Sequence, residues 1–366
     1  MREMRETSTT SELKTLKSVY CYICPEVWPL LNEVHNAIPR SMYMVTTPVE
    51  EVRRALNPVF YPTLEIPATS EGYVNLDEIH VPIIERIKRI LGVYSRSVRG
   101  LAGFRYAYPT PGSSEGIFKL LIQNKVDGPG EINVLNGEYE GYGEYAGPDD
   151  LKMKVNHVAI EDAVKNKAGA WFISEPSARD GNILPANFIN ELCDAGNNLV
   201  VDLSYVGATR PHQFDVSHEN ISAVLLSLSK PYGVFRFRIG FTLTREPLHS
   251  LHGNKWFKDP ERLLQGLKLV EELGPTDNGS TRLYAKYRPV QEQIVREINQ
   301  EHGLGMRASD SFLLAYLTEE DAARLNSRQL ALIEPFKRGN GYRFCLTPYF
   351  EEKERRANGE RKVNSK

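Results

Sequence analysis

Short apolar runs alternate with loops and helical stretches between about residues 95 and 245, and this alternation limits the possible folds more than any other feature of the sequence. The runs have the length of buried strands and lie at 132–135, 169–174, 198–203, 223–226 and 239–243. This pattern is typical of a parallel sheet between layers of helices, so the sequence predicts an α/β fold. Polar residues follow the runs, and ligands bind at the carboxyl ends of strands in such sheets.

Size and charge exclude several classes of protein. The 366 residues are 41% hydrophobic, enough for two or three domains. The formal net charge of -2 gives no indication of a nucleic-acid or anionic-membrane partner. Runs of about 18 apolar residues are absent, so no membrane span is expected. The charged first residues do not resemble a signal peptide, and we expect a cytoplasmic protein.

Cys21 and Cys24 form a C-x-x-C motif. A second pair, which would complete a zinc site, does not accompany them. A zinc or redox role stays open, but two incidental thiols in a reducing compartment are the preferred interpretation. We therefore expect no metal site.

A lysine follows the apolar strand 223–226. Lys230 comes shortly after that strand, and Arg238 lies eight residues further on, just before the next apolar run. A lysine at the end of a buried strand costs free energy unless it is paired or used, and its amine can attack a carbonyl. The alternative interpretation is that Lys230 has no chemical role and only ends a strand beside a surface arginine, which would give the same pattern.

Two other polar motifs occur at similar positions. Gly112-Ser113-Ser114 precedes a helical stretch, where free N–H groups suit a phosphate, although a serine N-cap is an equally simple reading. Asp202 ends a buried apolar strand and is followed three residues later by Tyr205. A carboxylate in that position needs a partner.

The series Ser-x-Ser-Lys-x-x-Gly-x-x-x-x-Arg-x-Gly at 227–240 resembles the lysine signature of pyridoxal-phosphate enzymes of the class I/II aminotransferase family, similar to aspartate and histidinol-phosphate aminotransferases. The resemblance implies fold type I. It predicts a large domain with a mostly parallel seven-stranded sheet between helices, and a small α/β C-terminal domain. It also implies pyridoxal 5'-phosphate as the cofactor, held by a Schiff base to Lys230.

The resemblance assigns roles to the other motifs. The implied cofactor-binding residues are Gly112, Ser113 and Ser114 at the helix start, Tyr139 stacked on the pyridine ring, Asp202 at the ring nitrogen, Tyr205 at the phenolic oxygen, and Ser227 and Arg238 at the phosphate. Arg343 is expected to bind the substrate α-carboxylate, because its planar fork suits a carboxylate. The sequence departs from the family at Ala178, where relatives have an asparagine, and at Glu138, where they have a small neutral residue.

The reaction stays open between alternatives. An amino-acid aminotransferase using a 2-oxo acid is the leading hypothesis, because that activity is the commonest in the family. A lyase or cyclase, acting by β/γ-elimination or cyclodehydration, is the alternative favoured by Ala178. Glu138, Glu140 and Glu175 would then bind the cationic side chain of an arginine-like substrate, unless they are solvated loop acids. A regulatory protein is disfavoured, because no basic recognition helix precedes residue 100.

The predicted organisation has four parts. Residues 1–55 form an N-terminal segment beginning with a loosely held arm of about 20 residues, 56–250 the large domain, 251–350 the small domain, and 351–366 a disordered tail. Helices are predicted within 74–92 and at 186–193, 259–273 and 290–301, and strands at 312–317, 330–333 and 342–346. The family implies a homodimer in which Tyr61 or Tyr73 reaches the neighbour's phosphate site.

Overall fold

A computed structural model describes residues 13–16, 24–91, 98–128, 130–147, 151–165, 169–255, 259–274 and 281–357. The helices are α1 Val27–Ala37, α2 Val49–Leu56, α3 His80–Arg89, α4 Ser113–Asp127, α5 Glu140–Ala146, α6 Ile160–Ala163, α7 Phe188–Asp194, α8 Ser229–Tyr232, α9 His249–His252, α10 Pro260–Leu273, α11 Arg282–His302, α12 Glu319–Ala322, α13 Ser327–Ile333 and α14 Thr347–Ala357. The strands are β1 Val98–Arg99, β2 Tyr106–Pro111, β3 Glu131–Leu135, β4 Lys154–Val158, β5 Ala170–Ser174, β6 Asn198–Asp202, β7 Phe214–Asp215, β8 Ile221–Ser227, β9 Ile239–Thr244, β10 Arg307–Ala308, β11 Leu314–Thr318, β12 Lys337–Arg338 and β13 Gly341–Cys345.

A seven-stranded sheet forms the centre of the large domain. Its order is β2-β9-β8-β6-β5-β3-β4, and only β9 runs antiparallel to its neighbours. Strands β6, β8 and β9 are buried along nearly their whole length, because helices cover both faces of a sheet of this kind. The predicted α/β fold with a mostly parallel seven-stranded sheet is confirmed.

A second sheet, antiparallel and four-stranded in the order β10-β11-β13-β12, forms the small domain. The α11 helix is tied to it by Gln291, whose buried side-chain amide lies 2.6 Å from the Leu314 carbonyl oxygen and 2.8 Å from that of Ser311. Leu16 exchanges backbone hydrogen bonds of 3.3 and 3.0 Å with Cys345 at the end of β13. Residues 13–16 of the predicted loose arm are thus anchored to the small sheet.

Three predicted elements differ from the structure. The strand predicted at 330–333 is wrong, because a capping box between Asn326 and Gln329 starts helix α13 there. The helix predicted to begin after Pro289, at residue 290, starts eight residues earlier at Arg282, where the Thr281 hydroxyl caps α11, and Pro289 lies inside it. Residues 351–357 of the predicted disordered tail belong to α14, and 358–366 lie outside the described residues.

Helix α10 lies just beyond the predicted domain boundary at residue 250. This helix packs against α1, α3 and β9. The close contact is made at Gly266, where a Cβ atom would lie 2.8 Å from Ile239 of β9 and 3.0 Å from Leu228. Helix α10 is therefore attached to elements that precede the predicted boundary, and the four-part division stays a prediction.

The start of β9 packs directly on the turn that precedes α4. A Cβ atom at Gly240 would lie only 2.6 Å from the Cα atom of Gly112, which is a distance that side chains do not tolerate. Gly112 itself has a φ of 77°, in the left-handed region that favours glycine. This pair of glycines lets the first turn of α4 approach the end of the sheet at which the polar motifs lie.

We expect Gly240→Ala to destabilise the protein by about 1–3 kcal/mol, because the added methyl group must displace backbone rather than a flexible side chain. The control is Gly143→Ala in α5, where a Cβ atom meets nothing within 4 Å. That substitution should be neutral or stabilising by about 0.5–1 kcal/mol, since alanine favours helix. Urea denaturation of both variants measures the difference, and equal stabilities would contradict the steric argument.

Candidate active site

A cavity of about 360 Å³ lies at the carboxyl ends of β5, β6 and β8, where the sequence motifs end. Most of the predicted site residues line it, together with small-domain residues. The predicted residues in its wall are Ser113, Ser114, Tyr139, Asp202, Tyr205, Ser227, Lys230, Arg238 and Arg343. The structure therefore brings together side chains that are up to 230 positions apart in the sequence.

One end of the cavity is suited to an anion. Helix α4 begins at Ser113, and its free N–H groups give that end a partial positive charge. The Arg238 guanidinium lies over this turn and donates from Nη2 to the Pro111 carbonyl oxygen at 2.6 Å. A Cβ atom at Gly112 would lie 2.6 Å from that nitrogen, so the missing side chain at Gly112 makes room for the arginine.

A buried carboxylate, Asp202, lies elsewhere in the wall of the same cavity. Its Oδ1 accepts hydrogen bonds from the Ser204 amide at 2.9 Å and the Ser204 hydroxyl at 2.5 Å, and its Oδ2 accepts one from Tyr142 at 3.4 Å. Burial raises the pKa of Asp202, while these hydrogen bonds and the positive charge of Lys230 oppose the rise. The Ser113 hydroxyl lies 3.0 Å from the Ser204 hydroxyl, which accepts from it while donating to Asp202, and this contact links the carboxylate to the anion end.

Lys230 stands between aromatic rings in the cavity wall. It lies in the single turn of α8, which follows directly on β8 and is ended by Gly233 in the left-handed conformation. Its Nζ is 6.0 Å from the ring centroid of Tyr205 and 5.7 Å from that of Phe235. A short helical turn after a buried strand thus sets the amine at the sheet edge.

Tyr139 is positioned by its neighbours on α4 and α5. A Cβ atom at Gly141 would lie 2.4 Å from the Tyr139 ring, so only glycine leaves space for that ring. Ser114 on α4 lines the cavity wall beside Tyr139, and the Tyr139 ring packs edge-on against Tyr142 with centroids 5.4 Å apart. These contacts hold an aromatic face at the cavity.

Two arginines reach the cavity from the small domain, and the sequence indicated only one of them. Arg343 on β13 is buried and donates from Nη1 to the Ala178 carbonyl oxygen. Arg338 on β12 was missed, since no sequence motif marks it. Burial and the charge of Arg343 lower the pKa of Arg338 to about 10.

Arg338 connects the small domain to the loop that carries Tyr139. It donates from Nε to the Gly137 carbonyl at 2.8 Å, from Nη2 to the Glu138 carbonyl at 2.7 Å, and from Nη1 to the Glu140 carboxylate at 2.8 Å. Three acceptors within four residues fix this loop against β12. The arrangement makes Arg338 a structural clamp at the site.

The predicted acids do not all face the cavity. Glu138 is buried behind the wall, where it accepts a hydrogen bond from the Ser177 hydroxyl. Glu175 is also buried; its carboxylate lies 3.3 Å from His212 Nε2 and accepts from the Leu184 amide at 3.1 Å. Glu140 lines the cavity, and so does Glu144, one turn further along α5. The Glu138 side chain therefore has no direct access to the cavity in which it is predicted to bind the substrate.

The cysteines, possible metal ligands and possible membrane spans can also be located in the structure. Cys24 is buried, and burial raises the pKa of its thiol to about 12, whereas Cys21 lies outside the described residues. The described residues contain no cluster of three or more His, Cys, Asp or Glu side chains arranged for a metal ion. Within the same part of the chain, no helix is long and apolar enough to cross a membrane.

Part of the chain matches the model of a known protein family. Residues 143–285 match the family model described as aminotransferase class I and II. This segment includes Asp202, Lys230 and Arg238 but ends before Arg343. Among curated proteins, none matches the sequence.

Solved structures with the same fold have several different activities. An aspartate aminotransferase from Thermus thermophilus, with maleate, has a TM-score of 0.59 and 14% identity, with 93% of this chain and 90% of that chain covered. MppP soaked with the product 2-ketoarginine has a TM-score of 0.60 and 13% identity, covering 90% and 94%. A C-S lyase from Staphylococcus hominis has a TM-score of 0.57 and 12% identity, covering 92% and 85%. Because the sequence identities are only 12–14%, the structural similarity establishes the fold and not the activity.

We expect Arg338→Met to destabilise the protein by about 2–3 kcal/mol, because two backbone carbonyls lose their donor and the methionine cannot replace it. The control is Lys337→Met at the exposed neighbouring position, which should change stability by less than about 0.5 kcal/mol. Thermal unfolding of the cofactor-free protein compares them. If Arg338→Met left the thermal stability unchanged, the role of this arginine as a clamp would be contradicted.

Proposed function

We propose that this chain belongs to the pyridoxal-phosphate-dependent class I and II aminotransferase family of fold type I, and that it transfers the amino group of an amino acid to a 2-oxo acid. The observation that carries the proposal is the meeting of Lys230, Asp202 and Arg238 around one cavity. An amine, a buried carboxylate and a phosphate-binding arginine are the three groups that this cofactor needs.

The residues present fit pyridoxal 5'-phosphate. The start of α4 and the Arg238 guanidinium supply N–H donors for a phosphate, and the absence of a side chain at Gly112 keeps that guanidinium in place. Asp202 is a buried carboxylate whose described hydrogen bonds come from hydroxyl and amide groups, so a protonated ring nitrogen would add a cationic partner. Tyr139 offers a ring face.

Each residue then has a chemical task. The bound cofactor withdraws electron density from the α-carbon of the amino acid. Lys230 would hold the cofactor, and its free amine would take the proton from that α-carbon and return one during turnover. Asp202 would keep a proton on the ring nitrogen, and Tyr205 would donate to the phenolic oxygen. Arg343 binds the α-carboxylate, for which its planar fork is suited.

A lyase or cyclase acting on an amino acid remains the second candidate. Ala178 lines the cavity at the position where relatives have an asparagine, so no side-chain amide is supplied from that position. Glu140 and Glu144 give the cavity a carboxylate edge that suits a cationic substrate side chain. MppP and a C-S lyase have the same fold, so the fold accommodates either reaction.

We expect the purified protein with pyridoxal phosphate to show a visible absorption band that Lys230→Ala lacks, because the lysine amine is the group that binds the cofactor covalently. Lys154→Ala, which removes a lysine exposed on β4, should keep the band. Covalent trapping with borohydride followed by peptide mass spectrometry should locate the label at residue 230.

Product analysis of the same proteins decides the reaction. Acidic, aromatic and arginine-like amino acids are each incubated with and without 2-oxoglutarate. Glutamate that forms only when the 2-oxo acid is present supports amino transfer, and all turnover should disappear in Lys230→Ala. Ammonia or a cyclic product without an added 2-oxo acid would contradict amino transfer and support the second candidate.

We further propose that the enzyme works as a homodimer. Large apolar side chains are exposed on the N-terminal segment and just after it: Trp28, Tyr43, Met44, Val45 and Tyr61. The Trp28 ring contacts Phe237 with centroids 5.9 Å apart, and Phe235, on the same single helical turn as Phe237, lines the cavity. Through Trp28 this apolar surface reaches the cavity wall, so a second copy covering Trp28 would lie beside the cofactor site.

Tyr61 is the better candidate for a contact to the neighbour's phosphate site. It is 94% exposed and lines a separate groove of about 920 Å³, whereas Tyr73 is partly buried and adjoins the Ala68–Val74 bridge. An exposed aromatic side chain of this size is typical of protein interfaces.

We expect Tyr61→Phe to weaken cofactor binding roughly 10-fold, because loss of one hydrogen bond to a charged phosphate costs about 1.5 kcal/mol. Tyr73→Phe is the matched control and should bind the cofactor like the unaltered protein. Light scattering checks that both variants stay dimeric. A monomeric unaltered protein, or a loss confined to Tyr73→Phe, would contradict the assignment.

A further inference from the structure

Phe235 is the one large apolar side chain among the described residues that line the candidate active site. The other large side chains of this wall all carry a polar atom, whereas the Phe235 ring carries none. The ring is 38% exposed, and the proposed chemistry gives it no task. In a wall of polar and charged groups, an aromatic ring can act on cations through the negative charge of its face.

Two cations of the site lie beside this ring. The Lys230 Nζ atom is 5.7 Å from the Phe235 ring centroid, and the Arg238 guanidinium carbon is 5.1 Å from it. Both distances are within the range of about 6 Å over which the face of an aromatic ring attracts a cation. One ring therefore lies beside both the amine and the arginine to which the proposed function assigns the aldehyde and the phosphate of a single cofactor.

The backbone around Phe235 is folded so that the ring and the guanidinium meet. The single helical turn Phe235–Phe237 lies between two left-handed residues, Gly233 with a φ of 70° and Arg238 with a φ of 56°. The left-handed conformation is unfavourable for an arginine, so contacts elsewhere must compensate for it. Arg238 donates from Nη1 to the Phe235 carbonyl oxygen at 3.3 Å, and its guanidinium lies at the ring. Contacts with Phe235 thus accompany the strained backbone of Arg238.

The other ring of the same turn has different surroundings. Phe237 lies beside Arg262 of α10, whose guanidinium carbon is 4.5 Å from its ring centroid, and it packs edge-on against Trp28 at 5.9 Å. Phe237 is not among the described residues that line the cavity. Each ring of the turn is thus paired with an arginine, but only Phe235 is paired with one at the site. Phe237 is therefore a matched control for Phe235.

We propose that Phe235 is a positioning residue whose ring holds the Lys230 amine and the Arg238 guanidinium in place at the cofactor site. Two like charges in one cavity repel each other, and the negative face of a ring near both reduces the cost of bringing them together. The sequence resemblance marks the lysine and the arginine but not the ring between them. The inference goes beyond the proposed reaction and rests on the proposed function for the identity of the ligand.

The effect on cofactor binding is measured with pyridoxal 5'-phosphate. Phe235→Leu keeps an apolar side chain but has no ring face, so the dissociation constant should rise roughly 10-fold. Phe235→Tyr keeps the ring face, and Phe237→Leu leaves the cavity wall intact, so both should bind within about twofold of the unaltered protein. In a Lys230→Met background, where one of the two cations is missing, the loss caused by Phe235→Leu should fall to about threefold.

The contact with Arg238 is tested without any cofactor, by a double-mutant cycle on the urea unfolding of the cofactor-free protein. The variants are Phe235→Leu, Arg238→Met and the combination of both. We expect a coupling that changes the unfolding equilibrium constant by about two- to fivefold, because the ring and the guanidinium attract each other only when both are present. The matched cycle of Phe237→Leu with Arg238→Met should show no coupling of this size.

The outcomes separate the two proposals. The positioning role of Phe235 would be overturned by an equal loss of affinity in Phe235→Tyr or Phe237→Leu, by an undiminished loss in the Lys230→Met background, or by the absence of coupling to Arg238. Failure of the unaltered protein to bind pyridoxal phosphate would refute the proposed function, whereas the unfolding cycle would still decide whether the ring holds the arginine.

Discussion

A carboxylate buried at the end of a central strand is the constraint to which the rest of the site responds. Removing Asp202 from water costs several kcal/mol unless hydrogen bonds and a cation compensate. Ser204 and Tyr142 supply the hydrogen bonds, and Lys230 supplies a positive charge in the same cavity. A buried acid maintained in this way is a group that can hold a proton on a ligand, which is why its location points to function.

The parallel sheet explains how the site is assembled. Its strands β5, β6 and β8 end at the same edge, so residues that follow different strands become neighbours. Strand β9 returns antiparallel and brings Arg238 and Gly240 to the turn before α4. The small domain closes the cavity from the other side with Arg338 and Arg343. The site is therefore a product of both sheets.

Much of this could be predicted from the sequence. The long apolar runs identify strands because they are buried on both faces, and helix α10 was located correctly by its periodicity. Short apolar runs near the C-terminus were less informative, since residues 330–333 have the same composition in a strand or a helix and the capping residues decided for a helix. The extent of the site was harder to predict: Arg338, Tyr142 and Ser204 carry no motif, and their importance lies only in what they contact.

The sequence by itself determined the α/β fold, the candidate cofactor-binding residues and the order in which they follow the strands, because local hydrophobicity and residue chemistry can be read along the chain. Only the tertiary structure decided which side chains face the cavity and which are buried behind it. Glu138 and Glu140 are two residues apart, yet one bonds to Ser177 in the interior and the other lines the cavity. The direction of each side chain is set by packing against residues distant in sequence, and no local pattern records it.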